Sequence, residues 1–244
     1  VFSGAVAVRV FARASFSTRV FNGDSNVAGT ELPESTHGMA HKLANKFNGQ
    51  YKTKFINDAT PGASNDLIYE QTLDFLNNPD SPKPDLVVIG WTQFIRVQWF
   101  LTNEENQGRF WEINQIGVGI PVPDEYKERY NHYVENVETD GHWHLVQSAY
   151  WHNKIFNVHK LLEYKKIPHL FFNAFDPFVM HEDQFKLDWD NRFLSPYSTE
   201  EIYTKWCAKR EFKEITPGQF HYESNAHNAW AHHMYDHIKK HNIL

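Results

Sequence analysis

Ser25 and His221 are the two residues whose type and context best suit them to do chemistry together. Ser25 follows Phe16-Ser17-Thr18-Arg19-Val20-Phe21, a β-branched and aromatic run that stops at Asn22-Gly23-Asp24-Ser25. A serine just past the carboxyl end of a strand, on a turn that glycine permits, sits where open parallel sheets bind ligands. That is a position for a nucleophile, and a serine hydroxyl needs a base to take its proton. His221 is the candidate base, because it lies in a loop immediately before a terminal amphipathic helix and can turn toward the mouth of a sheet. Both features also have an ordinary alternative. Asn, Gly, Asp and Ser are the commonest turn residues, and 15 histidines put one in some loop regardless. His227, one turn into the last helix, reads as a packing or capping residue.

The elements that must position this pair follow from hydrophobic patterning. Strands are predicted near 17–22, 52–57, 85–90 and 167–173, and helices near 37–48, 65–77, 124–138, 142–165, 199–209 and 224–240. Leu86-Val87-Val88-Ile89-Gly90-Trp91 has the continuous apolar character of a strand covered on both faces. Strand, small-residue turn and helix alternate, which predicts an α/β fold with a parallel sheet and right-handed crossovers. Each apolar run ends in small or polar residues at the same end, so Ser25, Gly62, Thr92 and Asn173 are expected near one edge. Residues 94–141 are aromatic-rich and broken by Gly and Pro, an expected insertion or lid beside that edge.

At 244 residues with 41% hydrophobic content the chain can bury a large core, and residues 16–244 are read as a single domain. Residues 1–15 are small, apolar and arginine-bearing with no acid, an arm or the remnant of a leader. Net charge is −6 and Lys and Arg form no block, which argues against a nucleic-acid partner. No apolar run reaches the length of a membrane span. The single cysteine, Cys207, excludes an internal disulfide without fixing a compartment. There is no Gly-x-Gly-x-x-Gly, no Walker loop and no Cys-x-x-Cys, so no cofactor is expected. His142 with His144, and His232, His233, His237 and His241, invite a metal reading. No Glu accompanies them in a chelating motif, and they are read as solvated helix residues with no metal.

The order Gly23-Asp24-Ser25, then Pro61-Gly62-Ala63-Ser64-Asn65, then a Gly90-led turn, then His221 before the last helix resembles the SGNH (GDSL-type) hydrolase family. The runs Ala59-Thr60-Pro61-Gly62-Ala63-Ser64-Asn65-Asp66 and Leu86-Val87-Val88-Ile89-Gly90-Trp91-Thr92, with Arg96, are similar to bacteriophage-encoded and marine microbial versions. The resemblance spans residues 16–93 and 198–241. It implies a flavodoxin-like three-layer α/β/α sandwich and a serine esterase or deacylase acting on a small acyl ester, such as an O-acetyl group on a glycan. It carries over Ser25 as nucleophile, His221 as base, and the Ser25 and Gly62 N–H groups as oxyanion donors.

Two positions depart from the family pattern. Thr92 stands where an asparagine oxyanion donor belongs, and Gly218 stands where an aspartate precedes the histidine by three residues. Thr92 is the expected substitute donor, and Asp176 or Glu214 the expected substitute acid. The alternative reading is a catalytically degenerate binding or structural module with protein partners, as in a virion or a surface assembly. The phage likeness would set the chain in a virion or a host cytoplasm.

Overall fold

The computed structural model describes residues 17–47, 53–101, 109–113, 122–135, 142–180 and 182–244. Its strands in chain order are β1 (Ser17–Gly23), β2 (Thr53–Asn57), β3 (Leu86–Trp91), β4 (Val97–Leu101), β5 (Arg109–Ile113), β6 (His169–Asn173) and β7 (Phe193–Leu194). The helices are α1 (Ser25–Ala28), α2 (Met39–Lys46), α3 (Asn65–Asn77), α4 (Lys127–Tyr133), α5 (Trp143–Tyr164), α6 (Tyr203–Lys209) and α7 (Ser224–Lys240). Five strands make one all-parallel sheet in the order β2-β1-β3-β6-β7. The direction of winding reverses between β1 and β3, so the crevice at their carboxyl ends is where this topology binds ligands.

Every residue of β3 is buried, because helices cover both faces of the sheet. Successive side chains point to opposite faces, and the core divides accordingly. Phe21, Val88, Leu170 and Phe172 pack with Leu43, Trp206, Trp230 and Met234 on the side of α2, α6 and α7. Val20, Val87, Ile89 and Phe171 pack with Ile68, Trp151, Ile155 and Val158 on the side of α3 and α5. The result is the three-layer α/β/α sandwich expected of the sequence.

The differences are local. Gly38 adopts an extended backbone (φ −71°, ψ 155°), so the first predicted helix begins at Met39 as α2, with a 3₁₀ turn at Ser35–His37 before it. Within 94–141, β4 and β5 pair as an antiparallel hairpin, with Val97 opposite Ile113 and Trp99 opposite Trp111. The alternation Val97-Gln98-Trp99 is the period-two signal for it, masked by the Gly- and Pro-rich residues that follow. The strand β7 has two residues, too few to show a period. The arm at residues 1–15 and much of 94–141 lie outside the described residues.

Candidate active site

Asp24 begins the site. Its carboxylate caps α1, with Oδ1 accepting the Asn26 N–H at 3.0 Å, which satisfies a donor that the helix start leaves free. Gly23 has φ +152°, and a Cβ there would lie 2.5 Å from Val27 Cγ2 and 2.7 Å from the Gly90 carbonyl oxygen, so glycine alone lets β1 run straight into α1. Ser25 is thereby the first residue of the helix. At the other end of the chain, the loop before α7 is pinned by the bridge between Glu214 and Tyr222 and by the Ile215 N–H on the His221 carbonyl at 2.8 Å. That loop delivers His221 Nε2 to 2.9 Å from Ser25 Oγ.

Behind the imidazole stands a residue that sequence reasoning missed. Glu31 Oε2 lies 3.4 Å from His221 Nδ1. Nδ1 has no hydrogen-bond partner among the described residues, so the two groups stand within ion-pair reach without a hydrogen bond. Glu31 holds a left-handed backbone, φ 68°, a conformation that costs a non-glycine residue about 1 kcal/mol. Outliers of this kind gather at functional sites.

The two acids expected to orient His221 do neither. The Asp176 carboxylate turns back toward the end of β3 and accepts the Phe94 N–H at 3.2 Å; burial is the largest influence on it and pushes its pKa up. Glu214 closes its own turn by accepting the Gly218 N–H at 2.5 Å. Glu31 is the acid within ion-pair reach of His221 among the described residues.

Thr92 is also not the expected oxyanion donor. It is buried, its hydroxyl donates to Asp24 Oδ2 at 2.8 Å, and its backbone N–H and carbonyl are paired with the Asn65 side chain at 2.9 and 3.1 Å. A hydroxyl has one proton, and here Asp24 takes it. The same Asp24 oxygen is 3.4 Å from Arg96 Nη1. Asp24 is fully buried, and these donors are what a buried carboxylate requires.

Arg96 is the second residue left without a role by the sequence. Its guanidinium lies over the Phe175 ring at 5.1 Å, Nη1 also approaches the Ala63 carbonyl at 3.4 Å, and Nε is buried without a hydrogen-bond partner among the described residues. Arg96, Ser25, Thr30, Pro61, Gly62, Gln219 and His221 line a cleft of about 240 Å³. Gly62 has φ +76°, and its N–H makes no backbone hydrogen bond among the described residues. A broader groove of about 470 Å³ opens on the far side of Glu31, lined by Leu32, Pro33, His37, Ile215, Glu223, Ser224 and Asn225 as well.

The remaining histidines of interest are spent elsewhere. His227 Nδ1 accepts the Met39 N–H at 3.2 Å and so caps α2, as the sequence suggested; burial pushes its pKa down to about 4. His237 faces the Asn191 carbonyl at 2.8 Å, and His233 pairs with Glu201 at 3.2 Å.

The sequence matches no family model, and no curated protein is significantly similar to it. Among solved structures it is similar to TesA, at 11% identity over 92% of this chain and 99% of that one, with a TM-score of 0.51. It is likewise similar to the lipase Lip_vut3 from a goat rumen metagenome, at 17% identity over 91% of this chain and 97% of that one, also with a TM-score of 0.51. At such identities the likeness is one of fold alone, the parallel-sheet α/β sandwich described above.

Proposed function

We propose that this chain is a serine esterase or deacylase that cleaves a small acyl ester, with Ser25 as nucleophile, His221 as base and Glu31 as the acid behind the base. The observation that carries this reading is the 2.9 Å approach of His221 Nε2 to Ser25 Oγ at the carboxyl edge of the sheet. Catalytic nucleophile and base sit at this distance. A fold neighbour named as a lipase supports ester chemistry.

In the first half-reaction Ser25 Oγ attacks the ester carbonyl carbon while His221 Nε2 takes its proton. The imidazolium that forms is stabilised by the Glu31 carboxylate on its Nδ1 side. The negative charge developing on the carbonyl oxygen is met by the Ser25 and Gly62 N–H groups and by the Arg96 guanidinium. A charged donor offsets the loss of the asparagine, since one oxyanion donor is worth about a hundred- to a thousandfold in rate. Collapse of the tetrahedral species breaks the ester C–O bond, and His221 returns the proton to the departing alcohol. Water, activated by the same histidine, then hydrolyses the acyl-serine.

The cleft of about 240 Å³ suits a short acyl group such as acetyl. The wider groove beyond Glu31 offers Glu223, Ser224 and Asn225 to the hydroxyls of a glycan on the alcohol side. Of the segment read as a lid, the described residues support that role: Arg96 lines the cleft, and Trp99 packs against Tyr130 and Tyr133 and so ties β4 to α4. The phage-like and marine-like runs have no counterpart in the names of the two fold neighbours.

A fluorophosphonate probe should label Ser25, and purified protein should turn over p-nitrophenyl acetate. Ser25→Ala and His221→Ala should each abolish both, and the double variant should be no worse, because nucleophile and base act as a unit. Wild-type protein that neither labels nor hydrolyses any simple ester would leave the non-catalytic module as the better account.

A further inference from the structure

At the end of the sheet opposite Ser25, two buried histidines form a relay that ends in a bare nitrogen. His169 opens β6, and its Nδ1 lies 2.9 Å from the Ile167 carbonyl. A carbonyl only accepts, so Nδ1 carries the proton and, in a neutral ring, Nε2 is a lone pair. His159 Nδ1 is 2.8 Å from that Nε2 and must be the donor. The proton of neutral His159 is thereby committed to Nδ1, which leaves its Nε2 as a lone pair too. Both rings are buried, and burial favours the neutral form of an imidazole.

That lone pair has no hydrogen-bond partner among the described residues, although the His159 side chain is fully buried. It faces two carboxylates, with Glu163 Oε2 at 3.6 Å and Asp190 Oδ2 at 3.8 Å. A lone pair and two carboxylates repel one another unless a proton or a metal cation lies between them. Lys160 answers only the outer part, because its ammonium is 2.7 Å from Glu163 and 3.8 Å from Asp190 and does not reach the imidazole as an ion-pair or hydrogen-bond partner.

We infer that His159, Glu163 and Asp190 form a binding site for a divalent transition-metal cation of the zinc type, with water completing the coordination. Metal–ligand bonds of about 2.0–2.2 Å in a tetrahedral site put neighbouring ligand atoms about 3.3–3.6 Å apart. The two histidine–carboxylate distances are therefore open by only a few tenths of an ångström, and all three ligand atoms lie within 4.8 Å of one another. His159 and Glu163 are one turn apart on α5, and Asp190 comes from the loop before β7. A metal there ties the end of α5 to the sheet edge. The His159 N–H donated to His169 is the outer-shell support that metal-bound histidines show. The site stands apart from the Ser25 cleft, and its role is structural.

The test is zinc titration of the full chain by calorimetry, in a His237→Gln/His241→Gln background that removes the neighbouring histidine rings at the end of α7. One zinc should bind per chain, and Co²⁺ in its place should give the visible absorption of a tetrahedral site. Glu163→Gln and Asp190→Asn should each weaken zinc at least tenfold. Lys160→Met should tighten it severalfold, because a competing internal cation is gone. Zinc should raise the urea midpoint of the parent and not of Asp190→Asn. Absence of binding at millimolar zinc, or equal affinity in parent, Glu163→Gln and Asp190→Asn, overturns the inference. Asp190 is about half exposed in a turn, so its variant decides the matter even if another fails to fold.

Discussion

Replacing Glu31 by glutamine should slow ester turnover roughly 30- to 150-fold. The figure comes from the geometry. Two unit charges 3.4 Å apart, the distance from Glu31 Oε2 to His221 Nδ1, attract by about 5 kcal/mol at an effective dielectric near 20 and by about 1 kcal/mol in bulk water. The Glu31 side chain is 32% exposed and that of His221 15%, so the pair lies between those limits, at about 2–3 kcal/mol. This is a smaller loss than the roughly ten-thousandfold cost of removing the buried acid of a serine-protease triad. The assay is kcat/KM for p-nitrophenyl acetate with the rate of fluorophosphonate labelling beside it, comparing Glu31→Gln with Asp176→Asn and Glu214→Gln. The two control substitutions should change kcat/KM less than Glu31→Gln does. A further variant separates function from structure. Glu31→Gly relieves the left-handed backbone by about 1 kcal/mol but adds about 0.4–1 kcal/mol of unfolded-chain entropy, so Tm should rise by no more than about 2 °C while activity falls. A Glu31→Gln protein within threefold of wild type, with Asp176→Asn strongly impaired, would refute the assignment of Glu31.

Arg96→Ala should lower kcat/KM a hundred- to a thousandfold if the guanidinium meets the oxyanion, and should cost about 1–3 kcal/mol in urea unfolding because buried Asp24 loses a donor. Arg96→Lys should restore much of the stability and less of the rate. Gly218→Asp should leave the rate unchanged and lower Tm, since Gly218 has φ +80° and Glu31 already serves His221; an increased rate would show that the acid is missing. His152 and His227 both have pKa values pushed down to about 4 by burial. The unfolded chain therefore binds more protons in that range, so their contribution is complete above about pH 6.5 and is lost as pH falls toward 4, at about 1.4 kcal/mol for each tenfold difference in proton affinity between the unfolded and folded chain. Urea midpoints between pH 7 and 4 should fall accordingly, and a flat profile would contradict it.

The sequence alone determined the layers and singled out Ser25 and His221, the pair that the fold brings to 2.9 Å. Strands buried on both faces must be continuous in apolar character, and Leu86-Val87-Val88-Ile89 is; a nucleophile must follow a strand at the carboxyl edge, and Gly23-Asp24-Ser25 does. The approach of His221 to Ser25 was legible because the terminal helix fixes where the last loop opens. The parts that only the tertiary structure decided are those in which a side chain chooses among several partners in space. Thr92 occupies the position of a missing donor, yet its single proton goes to Asp24, a preference set by the cost of leaving that carboxylate buried and unpaired. Asp176 and Glu214 have the right chemistry but are drawn to nearer backbone N–H groups. Glu31 lies in a polar turn with no pattern to mark it, and its carboxylate reaches His221 across almost the whole length of the chain from a left-handed backbone that no composition or period encodes. Periodicity reports burial, which the sequence carries residue by residue, whereas the direction of a hydrogen bond depends on which competing donor the fold brings nearest.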